Sequence, residues 1–295
     1  MKPISLRGAT VALVTPFDAS GAVDETALRG LVDWQIDQGI DALLAAGSTG
    51  EAATLAADEQ ARVIEIVVEQ ARGRCPVLAG TGSNSTQKSI DMTRSAEKAG
   101  CDAVMLVGPY YNKPTQEGFY RHFKTIAEAT SLPVVLYNVP GRTASNIAAD
   151  TVLRLAEVPN IVAVKEASGN LSQIMQILHH RPDGFLVLSG DDAVCLPLVA
   201  LGADGGISVV ANEVPGQFAR LIHAALDGRF SEARDLHYRL LPLMDLNFVE
   251  SNPIPVKAAL AMMGRIQEEY RLPLVRIADP NRARMRSALE DLGIL

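Results

Sequence analysis

The chain has 295 residues, of which 48% are hydrophobic, 21% charged and only 5% aromatic, and its formal net charge is −7. That length fits a single α/β barrel, and the apolar content excludes a disordered chain. The acidic balance argues against nucleic acid or an anionic membrane surface as partner, since both call for a basic face.

Residues 1–16 show no basic stretch followed by a long apolar run and a small-residue cleavage site, and no later run of about 18 apolar residues reads as a membrane span. A cytoplasmic protein is expected. Its three cysteines, Cys75, Cys101 and Cys195, are widely spaced beside apolar runs and read as buried free thiols.

In chain order, short β-branched or apolar runs alternate with amphipathic helical stretches. The predicted strands are 10–15, 42–46, 77–80, 103–107, 134–137, 161–165, 186–189 and 206–210. Between the first two, Asp24 caps a helix that Gly39 ends; after the fourth, Thr115 opens one running towards Ala129. Eight such units predict a (β/α)8 barrel over residues 1–228, with residues 229–295 as a helical extension packed on its side. Within that extension, 253–263 and 280–292 read as helices. A doubly wound dinucleotide fold is disfavoured, because AGTGSN supplies Gly80 and Gly82 but lacks the third glycine of the fingerprint.

Barrel active sites lie at the C-terminal ends of the strands, so the residues closing each run are the candidates. After the second strand, GSTGE sets Ser48 and Thr49 in a turn whose N–H groups suit a carboxylate; a plain tight turn is the alternative. After the fourth, Tyr110 and Tyr111 in GPYYNKP suit a site, an interface or loop packing equally. The fifth ends in Tyr137, either a proton shuttle or an ordinary interior tyrosine. Five residues on, Arg142 can hold a carboxylate through paired hydrogen bonds or lie solvated. In IVAVKEA, Lys165 is expected on the same face as Ile161 and Ala163, towards the barrel interior. Burial there would lower its pKa and free a neutral amine to attack a ketone; snorkelling to water is the alternative. The five histidines show neither HExxH spacing nor a Cys/His cluster, so no metal or organic cofactor is expected.

Together, GSTGEAATL, AGTGSN, PYYNKPTQEG, LYNVPGRT, IVAVKEASGN, LSGDD and SNPIPVK closely resemble the dihydrodipicolinate synthase family, over nearly the whole chain. The resemblance implies condensation of pyruvate with L-aspartate 4-semialdehyde, in lysine and diaminopimelate biosynthesis, through an imine on Lys165. Tyr137 is then the proton donor and acceptor, and Ser48 with Tyr111, the latter from a neighbouring subunit, completes a hydroxyl relay. Thr49 would bind the pyruvate carboxylate, Ile207 would contact pyruvate through its backbone, Gly190 would leave space beside the lysine, and Arg142 would bind the semialdehyde carboxylate. The family's usual assembly is a homotetramer of two tight dimers.

Two departures stand out. Most synthases carry threonine at Ser48, whereas N-acetylneuraminate lyases carry serine, which keeps a related sugar-acid aldolase open as the alternative. A non-catalytic keto-acid-binding barrel is the other. Feedback-inhibited members bind lysine with counterparts of Asn84 and Tyr110 plus a glutamate and histidines; here the remaining positions are Lys88, Ala57 and Gln60. Lys88 would repel a lysine ammonium, so weak lysine inhibition is expected.

Overall fold

The computed structural model describes residues 5–295; residues 1–4, part of the expected barrel and of the opening segment read as lacking a targeting signal, lie outside them. Eight parallel strands, β1 (Gly8–Ala12), β2 (Ala42–Ala45), β3 (Val77–Gly80), β4 (Ala103–Val107), β5 (Val134–Asn138), β6 (Ile161–Glu166), β7 (Leu186–Ser189) and β8 (Gly205–Ser208), close into a barrel in chain order. Several of the helices between them start at a side-chain cap. Asp24 accepts from the Ala27 N–H at 2.9 Å, and Thr115 accepts from Gly118 at 3.2 Å. Gly39 leaves the first helix with φ +88°.

Side chains alternate between two cores. Ala12, Leu44, Leu78, Met105, Val135, Tyr137, Ala163, Leu188 and Ile207 fill the interior, while a larger apolar set packs the strands against the helices. The β1–β8 seam closes unusually tightly: a Cβ on Gly205, whose φ is +140°, would lie 2.0 Å from the Gly8 carbonyl oxygen.

A register shift between Val134 and Val135 pairs Val134 with Ile161 but Val135 with Ala163. The extra residue is Val162, and it changes the phase of β6. Ala163 faces the interior as expected, but Ile161 joins the outer core, and Val162 packs against the inner one. The expectation that Ile161 shares the Lys165 face is corrected here.

Two predicted strands end two or three residues before their apolar runs do, and the run 42–46 ends one residue early. After Ala12, the Val14 N–H donates to Asn212 Oδ1 at 3.1 Å, and Asn212 Nδ2 donates to the Ala12 carbonyl at 2.8 Å. After Ser208, the N–H groups of Val209 and Val210 donate to Asp192 Oδ2 at 3.0 and 2.8 Å. Side chains thus take over from neighbouring strands and let the backbone turn at the mouth of the barrel.

The extension holds helices Phe230–Leu246, Ile254–Met262 and Asp279–Asp291. It does more than pack on the barrel's side. The segment before Ile254 and the loop near Pro273 reach over the C-terminal ends of the strands. No helix among the described residues is long and apolar enough to cross a membrane.

Candidate active site

Lys165 and Tyr137 are direct partners across the β5–β6 pair, and Leu188 on β7 flanks Lys165 on its other side. Lys165 is only 5% exposed, and its Nζ lies 4.4 Å from the centroid of the Tyr137 ring. Burial lowers its pKa to about 8, with the Arg142 cation pushing the same way and the Asp192 carboxylate opposing. Burial also pushes the Tyr137 hydroxyl up to about 12, opposed by Arg142. The lysine is therefore in the protonation range where an amine becomes nucleophilic near neutral pH, and the tyrosine keeps its proton to give.

The space beside this pair comes from β7. A Cβ on Gly190 would stand 2.9 Å from Lys165 Cε and 2.8 Å from the Ala167 Cβ, so a larger residue would press on the lysine stem. Ile207, from β8, is buried in the same interior group.

Beside Tyr137 opens a cavity of about 600 Å3, whose lining includes neither Lys165 nor Thr49. Ser48, Tyr110, Tyr137, Arg142 and Lys88 line it, joined by Asn252 and Pro273 from the extension. Ser48 is exposed in the loop after β2, whereas Thr49 is buried with its hydroxyl accepting from Asn252 Nδ2 at 2.9 Å. Arg142 sits in the one-turn helix Pro140–Thr143, its Nη2 3.5 Å from the Asn252 carbonyl.

A single chain does not bring Tyr111 to this cavity. It is 89% exposed, adopts φ +72°, and does not line the cavity, although its neighbour Tyr110 does. Asn84 lies close by, its carbonyl accepting from Asn112 at 2.9 Å, and Ala57 and Gln60 line the cavity with Lys88. The cysteines are free thiols, with Cys101 and Cys195 buried and Cys75 half-buried, rather than all three buried as expected.

The sequence signature of the dihydrodipicolinate synthetase family matches residues 5–292. The chain belongs to that family. Its curated relatives include the 4-hydroxy-tetrahydrodipicolinate synthase of Koribacter versatilis, 52% identical over 293 residues that span 99% of this chain and 98% of that one. The Chlorobium phaeobacteroides enzyme of the same name is 50% identical over 291 residues, 98% of both chains. Among solved structures, the dihydrodipicolinate synthase of Aquifex aeolicus superposes with a TM-score of 0.96 at 45% identity, covering 98% of this chain and 99% of that one. The Acinetobacter baumannii enzyme, solved in complex with pyruvate, superposes with a TM-score of 0.97 at 45% identity, over 99% of this chain and all of its own.

The fold of this family member also assembles residues that motif reading passed over. Asp192, the second acid of LSGDD, is buried, and burial pushes its carboxyl up to about 6 despite the N–H groups of Val209 and Val210 that hold it. Glu51, at the end of GSTGE, meets Lys257 of SNPIPVK in a fully buried ion pair of 2.5 Å. Both motifs carried the resemblance, but nothing in their spacing says that a loop after β2 and a helix 206 residues later share a contact.

Proposed function

We propose that this chain condenses pyruvate with L-aspartate 4-semialdehyde to give 4-hydroxy-tetrahydrodipicolinate, through an imine on Lys165. The observation that carries the reading is the buried, pKa-depressed Lys165 set in register against Tyr137, with Gly190 leaving room for a small keto acid. Neutral Lys165 Nζ attacks the ketone carbon, and Tyr137 delivers the proton with which the carbinolamine hydroxyl leaves as water. Loss of a methyl proton gives the enamine. Its carbon attacks the semialdehyde aldehyde, whose oxygen takes up a proton; the substrate amine then displaces Lys165 and closes the ring.

The N–H groups of Ser48 and Thr49, which no backbone carbonyl takes up, suit the pyruvate carboxylate together with the Thr49 hydroxyl, and Arg142 on the cavity wall suits the carboxylate of the second substrate. Ser48 passes protons towards solvent. Holding both substrates over one lysine supplies the orientation. The covalent partner is the substrate itself, so the reaction takes no metal or organic cofactor.

The relay is completed by Tyr111 of a second copy, which accounts for a large apolar ring left 89% exposed in one chain. We place the protein in the cytoplasm as a homotetramer of two such dimers, with small-molecule substrates and no nucleic-acid or membrane partner. Lysine inhibits weakly, since Lys88 places a cation on the cavity wall; half-inhibition below about 1 mM lysine would contradict this.

The deciding experiment is incubation with pyruvate and borohydride followed by peptide mass spectrometry. A reduced pyruvate adduct on Lys165 is expected, and its absence would sink the imine. Turnover of aspartate semialdehyde is then compared with that of N-acetylmannosamine and other sugar aldehydes. Preference for a sugar aldehyde would move the chain to the sugar-acid aldolases.

A further inference from the structure

The loop after β2 is held from outside the barrel. Thr49 Oγ1 accepts from Asn252 Nδ2 at 2.9 Å, and Glu51 Oε1 accepts from Lys257 Nζ at 2.5 Å. The second Glu51 oxygen accepts from the Arg271 N–H at 3.4 Å. All three partners belong to the extension. Glu51 itself adopts φ +53°, a left-handed conformation that a residue with a Cβ keeps only when its surroundings fix it.

Those surroundings are dry and specific. The Lys257 side chain is fully buried and that of Glu51 1% exposed. The ammonium lies 4.3 Å from the Phe17 ring centroid and 5.2 Å from that of Tyr270. Arg271 also lies over Phe17, at 4.4 Å, and its guanidinium donates to Glu59 at 2.6 and 2.7 Å and to the Thr54 and Gly21 carbonyls. The ends of the loop are thus tied to a single cationic cluster.

A buried ion pair adds little net stability, because desolvation roughly offsets the attraction, and apolar residues of similar volume would fill the space as well. What apolar residues cannot do is fix the direction of the loop. We propose that Lys257, acting through Glu51, is a positioning residue for the pyruvate carboxylate, holding Thr49 and the loop N–H groups at the distance from Lys165 that the substrate spans. The extension is then part of the substrate site. This rests on Lys165 being the pyruvate-binding lysine, and it adds a residue whose effect falls on one substrate only.

The test compares wild type, Lys257→Met and the double variant Glu51→Gln/Lys257→Met for melting temperature, kcat, and KM for each substrate. It also follows borohydride trapping against pyruvate concentration. Lys257→Met leaves a lone buried carboxylate and loses both stability and pyruvate affinity. The double variant removes both charges, and its melting temperature returns to within a few degrees of wild type. Its pyruvate KM and half-trapping concentration nevertheless stay raised about tenfold, with kcat and the semialdehyde KM changed less than about threefold. A double variant of wild-type melting temperature and wild-type pyruvate KM would overturn the proposal. Should that variant not fold, Arg271→Gln decides, because its part-exposed side chain braces the same loop. A pyruvate KM raised about threefold supports the proposal, and an unchanged one overturns it. If wild type itself traps no pyruvate on Lys165, the imine reading falls, and this inference with it.

Discussion

The two ends of the barrel use the same residue type in opposite ways. At the N-terminal end, aspartates recur in the pattern Gly-x-Asp before β2, β4 and β8: Asp41, Asp102 and Asp204. Each carboxylate accepts the N–H of Ala9, Val77 or Val187, at or one residue past the start of the preceding strand, at 2.7, 2.9 and 2.9 Å. Asp41 also meets His223 at 2.7 Å, and Asp204 pairs with Arg181. These acids are half-buried with partners beside them. At the C-terminal end, Asp192 likewise accepts two backbone N–H groups, yet it is buried and its carboxyl is pushed up to about 6. Strain divides in the same way. Of six non-glycine residues with positive φ among those described, Ala46, Glu51, Tyr111, Lys113 and Ala144 follow β2, β4 and β5, and only Arg72 lies elsewhere, at a helix end. One end is built for cohesion; the other carries buried charge and strained backbone, which persist where chemistry needs them.

The sharpest way to break that contrast is Lys165→Met. If the C-terminal end trades stability for function, turnover falls by about 10^4 or more and the pyruvate adduct vanishes, while the melting temperature holds or rises because a buried amine is gone. A variant that lost stability as well as activity would show Lys165 to be part of the frame. The pH dependence follows from the same group. Its folded pKa is lowered to about 8 from 10.5, so kcat/KM for pyruvate rises with pH towards a limb near 8 as the amine loses its proton. Stability has the same sign. Between about pH 8 and 10.5 the unfolded chain binds more protons than the folded one, so Lys165 makes folding more favourable as pH rises through that window. Comparing the melting curves of wild type and Lys165→Met across it isolates this contribution.

Asp204→Ala probes the other end. It leaves the Val187 N–H and the Arg181 guanidinium without their carboxylate, at a cost of about 1–3 kcal/mol. The melting temperature falls by several degrees, and kcat/KM, measured well below the melting range, stays within about twofold. Lost turnover at an unchanged melting temperature would join the two ends into one functional unit.

How far each end could be read in the sequence follows from the range of its interactions. The strand count and the strand-end placement of Lys165 and Tyr137 rest on short apolar runs and the turn signals that bound them, and these survive folding. The phase of Ile161 does not, because the shift at Val162 depends on pairing with β5 and leaves no local trace. The apolar runs 10–15 and 206–210 read as longer strands because their composition is uniform; they stop at Ala12 and Ser208, where Asn212 and Asp192 take the N–H groups. Lys257 lies in IPVKAAL, where a lysine reads as the polar face of a helix, and its burial depends on Glu51 far back in the chain. For Tyr111 the residues leave a site, an interface and loop packing equally open, and in the single chain its ring stays 89% exposed.

The smallest effect concerns Ser48, exposed in the loop after β2 and lining the cavity. Serine and threonine offer the same hydroxyl, but the threonine methyl restricts χ1 and leaves the oxygen fewer positions to sample. Fixing that rotor before the reaction is worth a few tenths of a kcal/mol, so Ser48→Thr raises kcat about twofold. The methyl adds little burial at an exposed position, and the melting temperature stays within about a degree. Unchanged or lower turnover would mean that the relay oxygen is already held by its loop, and that this loop shares the rigidity of the opposite end of the barrel. A rise in kcat at constant stability would show that the strained end still has catalytic slack, recoverable by one methyl group without cost to the frame.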